Sequence, residues 1–126
     1  MKIYLAGPIF DCDDSECVAW RTRAKELLVG CELADPMARD YRGKTTENAT
    51  AIVEEDKAAI DSCDILLVNF HKPSAGTSME ILYAWERKIP VYVIYPDGVV
   101  SPWVLYHATE VFPTLEKAVE TILKAM

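Results

Sequence analysis

Two short stretches limit what this 126-residue chain can become. "DILLVNF", residues 64–70, and "IPVYVIYP", residues 89–96, are almost unbroken apolar runs rich in β-branched and aromatic side chains. Their length and flanking turn residues mark them as strands. Their lack of polar alternation marks strands covered on both faces. Such strands belong to parallel sheets, and parallel neighbours need crossover connections, usually helices.

The remaining sequence supplies those connections. "KIYLAG", residues 2–7, reads as a first strand closed by Gly7-Pro8. "DSECVAWRTRAKELLVG", residues 14–30, reads as a helix, with Gly30 placed to end it. "CELADP", residues 31–36, is a second strand stopped by Pro36, and "MARDYRGKT" is a polar loop. Residues 46–64 carry Ala49, Ile52, Val53, Ala59 and Ile60 at helical spacing, with Thr46 as the candidate N-cap. After the third strand, "HKPSAGTS" reads as a loop and "MEILYAWERK", residues 79–88, as a helix. "DGVVSPWVLYHA" is irregular with room for one helical turn, "EVFP" is a last short strand, and residues 114–126 form an amphipathic helix.

This strand–helix rhythm predicts an α/β fold: one flavodoxin-like or Rossmann-like domain over residues 1–126. The expected sheet is parallel and five-stranded, of order 2-1-3-4-5, with helices on both faces. In such sheets ligands bind beyond the carboxyl ends of the strands where the order reverses, here between strands one and three. The segments leaving those strands, "GPIFD" and "NFHKPSAGTSME", are also the two most unusual loops in the chain.

The second of these loops leads into a helix N-terminus, where free N–H groups and the helix dipole favour an anion. Ser74, Gly76, Thr77 and Ser78 offer hydroxyls and close backbone approach to a phosphate or sugar. They equally fit a capping box in which Ser78 or Thr77 caps the helix and Glu80 complements the dipole. The loop lacks the G-x-x-x-x-G-K-[ST] spacing, and the first turn, "AGPIFD", lacks G-x-G-x-x-G, so neither a Walker loop nor a dinucleotide fingerprint is present. A carboxylate at Glu80, in the first turn of the expected helix, would have its ionised form favoured. That suits a nucleophile attacking an anomeric carbon.

Composition narrows the partners. A formal net charge of −7 argues against polymeric nucleic acid and against an anionic membrane surface. No apolar run approaches the ~18–20 residues of a membrane span. The opening "MKIYLAGPIF" is too short and strand-like for a secretory signal. The four cysteines, Cys12, Cys17, Cys31 and Cys63, form no C-x-x-C pair, which is the pattern of a reduced, cytoplasmic chain. "DCDDSE" lacks the glycine and terminal glutamate spacing of a calcium loop, so no metal site is expected.

Four segments together resemble the nucleoside 2-deoxyribosyltransferase family: "YLAGPIF", "DPMARDYRG", "VEEDKAAIDSCDILLVN" and "GTSMEILYAWERKIPVYV". They occur in the family's order and span nearly the whole chain. Nucleotide N-hydrolases share the scaffold. The resemblance implies that Glu80 is a nucleophile attacking C1′ of a deoxyribose to form a glycosyl-enzyme intermediate. It implies that the Tyr4 hydroxyl orients Glu80 and that Asp56 contacts the base and helps protonate it as it leaves. Gly7, Pro8, Phe10, Ser74, Gly76, Ser78 and Met79 would line the substrate site, with Phe10 beside the base. For Tyr4 and Phe10, the local sequence alone also fits a packed core residue and a loop anchor.

The chain departs from the transferases at one point. An acid often stands six residues before the nucleophile, and here that position is Ser74. A serine there is similar to the 5′-phosphate-binding serine of the deoxynucleotide N-hydrolases. Arg39 and Arg42 could support a phosphate or be surface charges.

The activity so implied is cleavage of the N-glycosidic bond of a 2′-deoxyribonucleoside through a deoxyribosyl-glutamate, with transfer to an acceptor nucleobase. The alternative is a 2′-deoxynucleoside 5′-monophosphate N-hydrolase that uses water. A third reading is a non-catalytic nucleotide-binding module. The implied partners are a small nucleoside or nucleotide and a free nucleobase, with no cofactor. A homodimer or higher homo-oligomer would share its sites through "SPWVLYHATE", where Trp103 and Tyr106 offer large side chains.

Overall fold

A computed structural model describes residues 1–126. Five strands, β1 (Lys2–Ala6), β2 (Glu32–Ala34), β3 (Ile65–Asn69), β4 (Val91–Ile94) and β5 (Glu110–Phe112), form one sheet of order β2-β1-β3-β4-β5. Every pairing is parallel. The expected order and fold class are those observed.

The apolar runs behave as their composition requires. Ile3 to Ala6 and Leu66 to Val68 are wholly buried. Strand alternation sends successive side chains to opposite faces. Tyr4, Ala6, Leu66 and Val68 therefore join one core, with Ile60, Ile81 and Ala84 of the helices α3 (Ala49–Asp61) and α4 (Ala75–Glu86). Ile3, Leu5, Ile65 and Leu67 join the other, against Ala24 and Leu28 beside α2 (Ala19–Leu27) and Ile122 of α6 (Leu115–Lys124).

Several helix boundaries differ from expectation. The single helix predicted over residues 14–30 is interrupted at Val18, giving α1 (Asp14–Cys17) and α2, although backbone bonds from Val18 to Asp14 and from Thr22 to Val18 continue across the break. Helix α3 starts at Ala49, after Asn48 rather than Thr46. Helix α4 starts four residues before the predicted Met79. Ser74, in extended conformation, is its N-cap and accepts from the Thr77 amide at 3.3 Å. Residues 75–78, the second half of the stretch predicted as a loop, are thus the first helical turn, and Thr77 and Ser78 cap nothing. Between β4 and β5 the irregular segment contains α5 (Pro102–His107).

Candidate active site

Beyond the carboxyl ends of β1 and β3, between α3 and α4, lies a cleft of about 430 Å³. That is a size suited to a small organic ligand. Its floor and walls include Gly7, Phe10, Asp56, Ser74, Gly76, Met79 and Glu80. Ile52 and Val53 of α3 line it as well, so part of that helix's apolar stripe faces the cleft. Arg39, Tyr41 and Arg42, from the segment after β2, close one side.

Tyr4 and Glu80 meet here although 76 residues separate them. Tyr4 is wholly buried on β1, and its hydroxyl donates to Glu80 Oε2 at 2.6 Å. Burial, with the neighbouring carboxylates of Glu80 and Asp56, pushes the Tyr4 phenol far above its usual value, so it is a donor at any working pH. Glu80 retains part of its surface, but desolvation raises its carboxyl to about 7. The Tyr4 hydrogen bond and Arg21 oppose that rise, while Asp56 adds to it. The expectation that the helix N-terminus keeps Glu80 ionised is therefore corrected. Glu80 is the sixth residue of α4 rather than part of its first turn. The dipole effect fades within a turn, and burial dominates.

Asp56 faces the same cleft from α3. Desolvation raises its carboxyl, and Arg39 opposes the rise. Arg39 Nη2 stands 3.3 Å from Asp56, and its Nη1 is 2.6 Å from Glu55. Tyr41 also donates to Glu55, at 2.9 Å. Arg39 is thus bound to the acids of α3 and is not a loose surface charge. Arg42 lines the cleft while forking onto Asp40 at 2.7–3.1 Å and pairing with Asp14 at 2.8 Å.

Three of the candidate residues are not on the cleft wall. Tyr4 lies wholly in the core and reaches the site only through Glu80, and Pro8 is buried. Ser78 spends its hydroxyl on the Ser74 carbonyl at 2.8 Å and faces a neighbouring cavity with Phe70 and Trp103. Gly7 is held tightly: a Cβ there would meet Trp20 Cζ2 at 3.0 Å and the Asn69 carbonyl oxygen at 3.2 Å. Phe10 and Met79 are 74% and 71% exposed, apolar side chains open at the cleft's rim.

One residue that the sequence did not single out is central. Arg21, on α2, is 1% exposed. It donates to the carbonyls of Leu5, Gly7 and Cys17. Its place at the buried side of α2 looks, in sequence, like any solvent-facing arginine of an amphipathic helix.

Beside the cleft, Cys12, Glu16 and His71 gather a thiol, a carboxylate and an imidazole within 4.8 Å of one another. Lys72 donates to Glu16 at 2.6 Å, so its ammonium already supplies the positive charge at that carboxylate.

Comparison with known proteins gives a consistent setting for this geometry. Residues 3–112 match the family model described as nucleoside 2-deoxyribosyltransferase. A putative 2′-deoxynucleoside 5′-phosphate N-hydrolase 1 from Methanosarcina mazei is 34% identical over 79 residues, covering 62% of this chain and 48% of the relative. Another of the same description, from Syntrophotalea carbinolica, is 38% identical over 52 residues, covering 41% of this chain and 37% of the relative. The chain therefore spans about half the length of these curated relatives, or less. Among solved structures, a 2-deoxyribosyltransferase from Bacillus psychrosaccharolyticus superposes with a TM-score of 0.76 at 20% identity, over 94% of this chain and 90% of that one. A 2-desoxiribosyltransferase from Leishmania mexicana gives 0.75 at 18% identity, over 98% and 97%. At such identities the likeness is one of fold.

Proposed function

The chain belongs to the nucleoside 2-deoxyribosyltransferase family, and from that premise we propose that it cleaves the N-glycosidic bond of a 2′-deoxyribonucleoside or its 5′-monophosphate. The observation that carries the reading is the 2.6 Å contact between Tyr4 and Glu80, made in the same cleft that Asp56 faces. A pure binding module has no use for a half-buried carboxylate that lines its ligand site and is held by a tyrosine.

The chemistry proceeds by double displacement. An oxygen of ionised Glu80 attacks C1′ and the C1′–N bond breaks, its electron pair passing to the base. Protonated Asp56 delivers a proton to the departing base. An acceptor nucleobase nitrogen then attacks C1′ as its proton passes to the Asp56 carboxylate, the bond from C1′ to Glu80 breaks with its electron pair returning to the carboxylate, and the configuration is retained overall. The Tyr4 hydrogen bond fixes the attacking carboxylate, and the Glu80 value near 7 makes the reactive form available at neutral pH.

Water as the second nucleophile gives the hydrolase reading. It is favoured by Ser74, whose hydroxyl stands at the cleft wall where the sugar's 5′ end would lie. The curated relatives named as 5′-phosphate N-hydrolases support the same reading. Incubation with a deoxynucleoside or its 5′-monophosphate, with and without a free base, separates the two. Base exchange on nucleosides supports transfer, and base release from monophosphates alone supports hydrolysis. Neither reaction, together with Glu80→Ala leaving ligand binding unchanged, would sink both.

A second copy of the chain is proposed to complete the site through α5. Trp103 and Tyr106 are 77% and 68% exposed there; Trp103 stacks on His107, and Tyr106 and Trp85 meet that ring edge-on, giving one aromatic surface. Sedimentation equilibrium of the wild type against Trp103→Glu tests this. A wild type that stays monomeric removes the shared site.

A further inference from the structure

Arg21 forms a buried hub beneath the cleft. Its Nε and Nη2 donate to the Leu5 carbonyl at 3.3 and 3.1 Å, and Nη2 also reaches the Gly7 carbonyl at 3.2 Å. Nη1 donates to the Cys17 carbonyl at 2.6 Å, and Nε lies 3.5 Å from Asp35. Its guanidinium carbon sits 4.8 Å from the centre of the Trp20 ring, the ring that packs on Gly7. One side chain thus ties the end of β1, the turn of α1 and the end of β2. Those segments carry Gly7, Phe10 and Pro36 into the cleft.

The charge is the unexplained part. Burying a guanidinium is costly, and well-packed apolar residues commonly serve structure equally well. Its close anion, Asp35, is shared: Lys25 is 2.6 Å from Asp35, and the Met37 amide donates to it at 2.8 Å. Lys25 is half exposed, so Asp35 is divided between a solvent-screened cation and the buried Arg21, whose charge is only partly answered there, close to a cleft that contains two carboxyls, Glu80 and Asp56.

We propose that Arg21 is a positioning residue for the reaction: it fixes the β1 exit loop against the substrate and supplies the buried cation that keeps Glu80 ready to attack. The groups acting on Glu80 are Tyr4 from β1, Asp56 from α3 and Arg21 from α2. Arg39 and Glu55 act on Asp56, and Asp35 acts on Arg21. Arg21 can play this part only if Glu80 is the nucleophile, and two readouts keep the two readings apart.

The first readout needs no turnover: carboxyl carbon NMR titration of Glu80, assigned by its loss in Glu80→Gln. The second is the acid limb of kcat/KM in the base exchange or release assay. Arg21→Met is expected to move both upward, the direction in which a lost cation moves a neighbouring carboxylate. Arg21→Lys keeps the charge but not the forked geometry, so it should leave the limb in place and raise KM several-fold. Asp35→Asn removes the competing anion and should move both readouts downward. It also serves should Arg21→Met fail to fold. A residue with only a structural role would lower thermal stability in these variants without opposite displacements of Glu80. An unmoved Glu80 titration in folded Arg21→Met, or in Asp35→Asn, overturns the proposal. A wild type that titrates as described but neither exchanges nor releases base overturns the enzymatic reading instead.

Discussion

The Tyr4 hydroxyl reaches Glu80 Oε2 at 2.6 Å, joining the first strand of the sheet to the helix that follows the third. The donor comes from a wholly buried side chain, so its position is set by the core and not by the ligand. The acceptor is the most chemically loaded group in the cleft. Removing the hydroxyl leaves the ring's packing intact. Tyr4→Phe is therefore expected to lower kcat roughly 10- to 100-fold, the kinetic equivalent of the ~1.5–3 kcal/mol of a hydrogen bond to a charged group. The acid limb of its pH profile should also rise, since the lost bond favoured the carboxylate. Steady-state kinetics across pH would check both.

Glu80 should make the protein less stable as pH rises. Its carboxyl goes from an ordinary 4.5 to about 7 on folding. Below 4.5 it is protonated in both states and costs nothing. Between the two values the unfolded chain releases the proton while the folded chain keeps it, so stability falls. Above about 7 the full penalty, on the order of 3 kcal/mol, applies. Glu80→Gln is expected to be more stable than the wild type in denaturant titrations at mildly alkaline pH and no more stable at acid pH.

Gly7 has no room for a side chain. Gly7→Ala places a methyl 3.0 Å from Trp20 and 3.2 Å from the Asn69 carbonyl, and overpacking of that kind costs about 1–3 kcal/mol. Thermal melts should show the loss. Trp20→Leu removes one of the two clashes, so the double variant should lose less than the sum of the singles.

Ser74 has two separable tasks. As the N-cap of α4 it accepts from Thr77, and Ser74→Ala should cost about 0.5–2 kcal/mol of stability. If its hydroxyl also meets a 5′-phosphate, KM for a deoxynucleoside monophosphate should rise with that change while KM for the nucleoside stays put. Equal changes for both substrates would assign Ser74 to capping alone.

Strands were easier to read in the sequence than helix ends. The strands within residues 64–70 and 89–96, Ile65–Asn69 and Val91–Ile94, are largely buried on both faces and so wear their burial openly, and the parallel rhythm then determines the sheet order. The same rule brings the exits of β1 and β3 together, whereas the pairing of Tyr4 with Glu80 is implied only by the family resemblance. The start of α4 was hidden because Ser, Gly and Thr have weak helix propensity, which packing on the sheet overrides: Thr77 and Ile81 are both buried. Arg21 was hidden because sequence cannot distinguish an arginine that meets water from one that meets the free carbonyls at a strand's end. Glu80's electrostatics were misjudged for a related reason. A helix dipole is local and legible, whereas desolvation depends on atoms from β1, α2 and α3.

Beginning α4 at Ala75 turns the interval from Ser74 to Glu80 into a rigid ruler. Six residues of helix advance about 9 Å along its axis, and that length cannot stretch to suit a longer ligand or relax for a shorter one. Inserting or deleting a single residue within the interval would swing Glu80 about 100° around the helix, away from Tyr4. Any adjustment between ligands of different reach must then come from elsewhere on the wall, where the Phe10 side chain stands exposed at the rim.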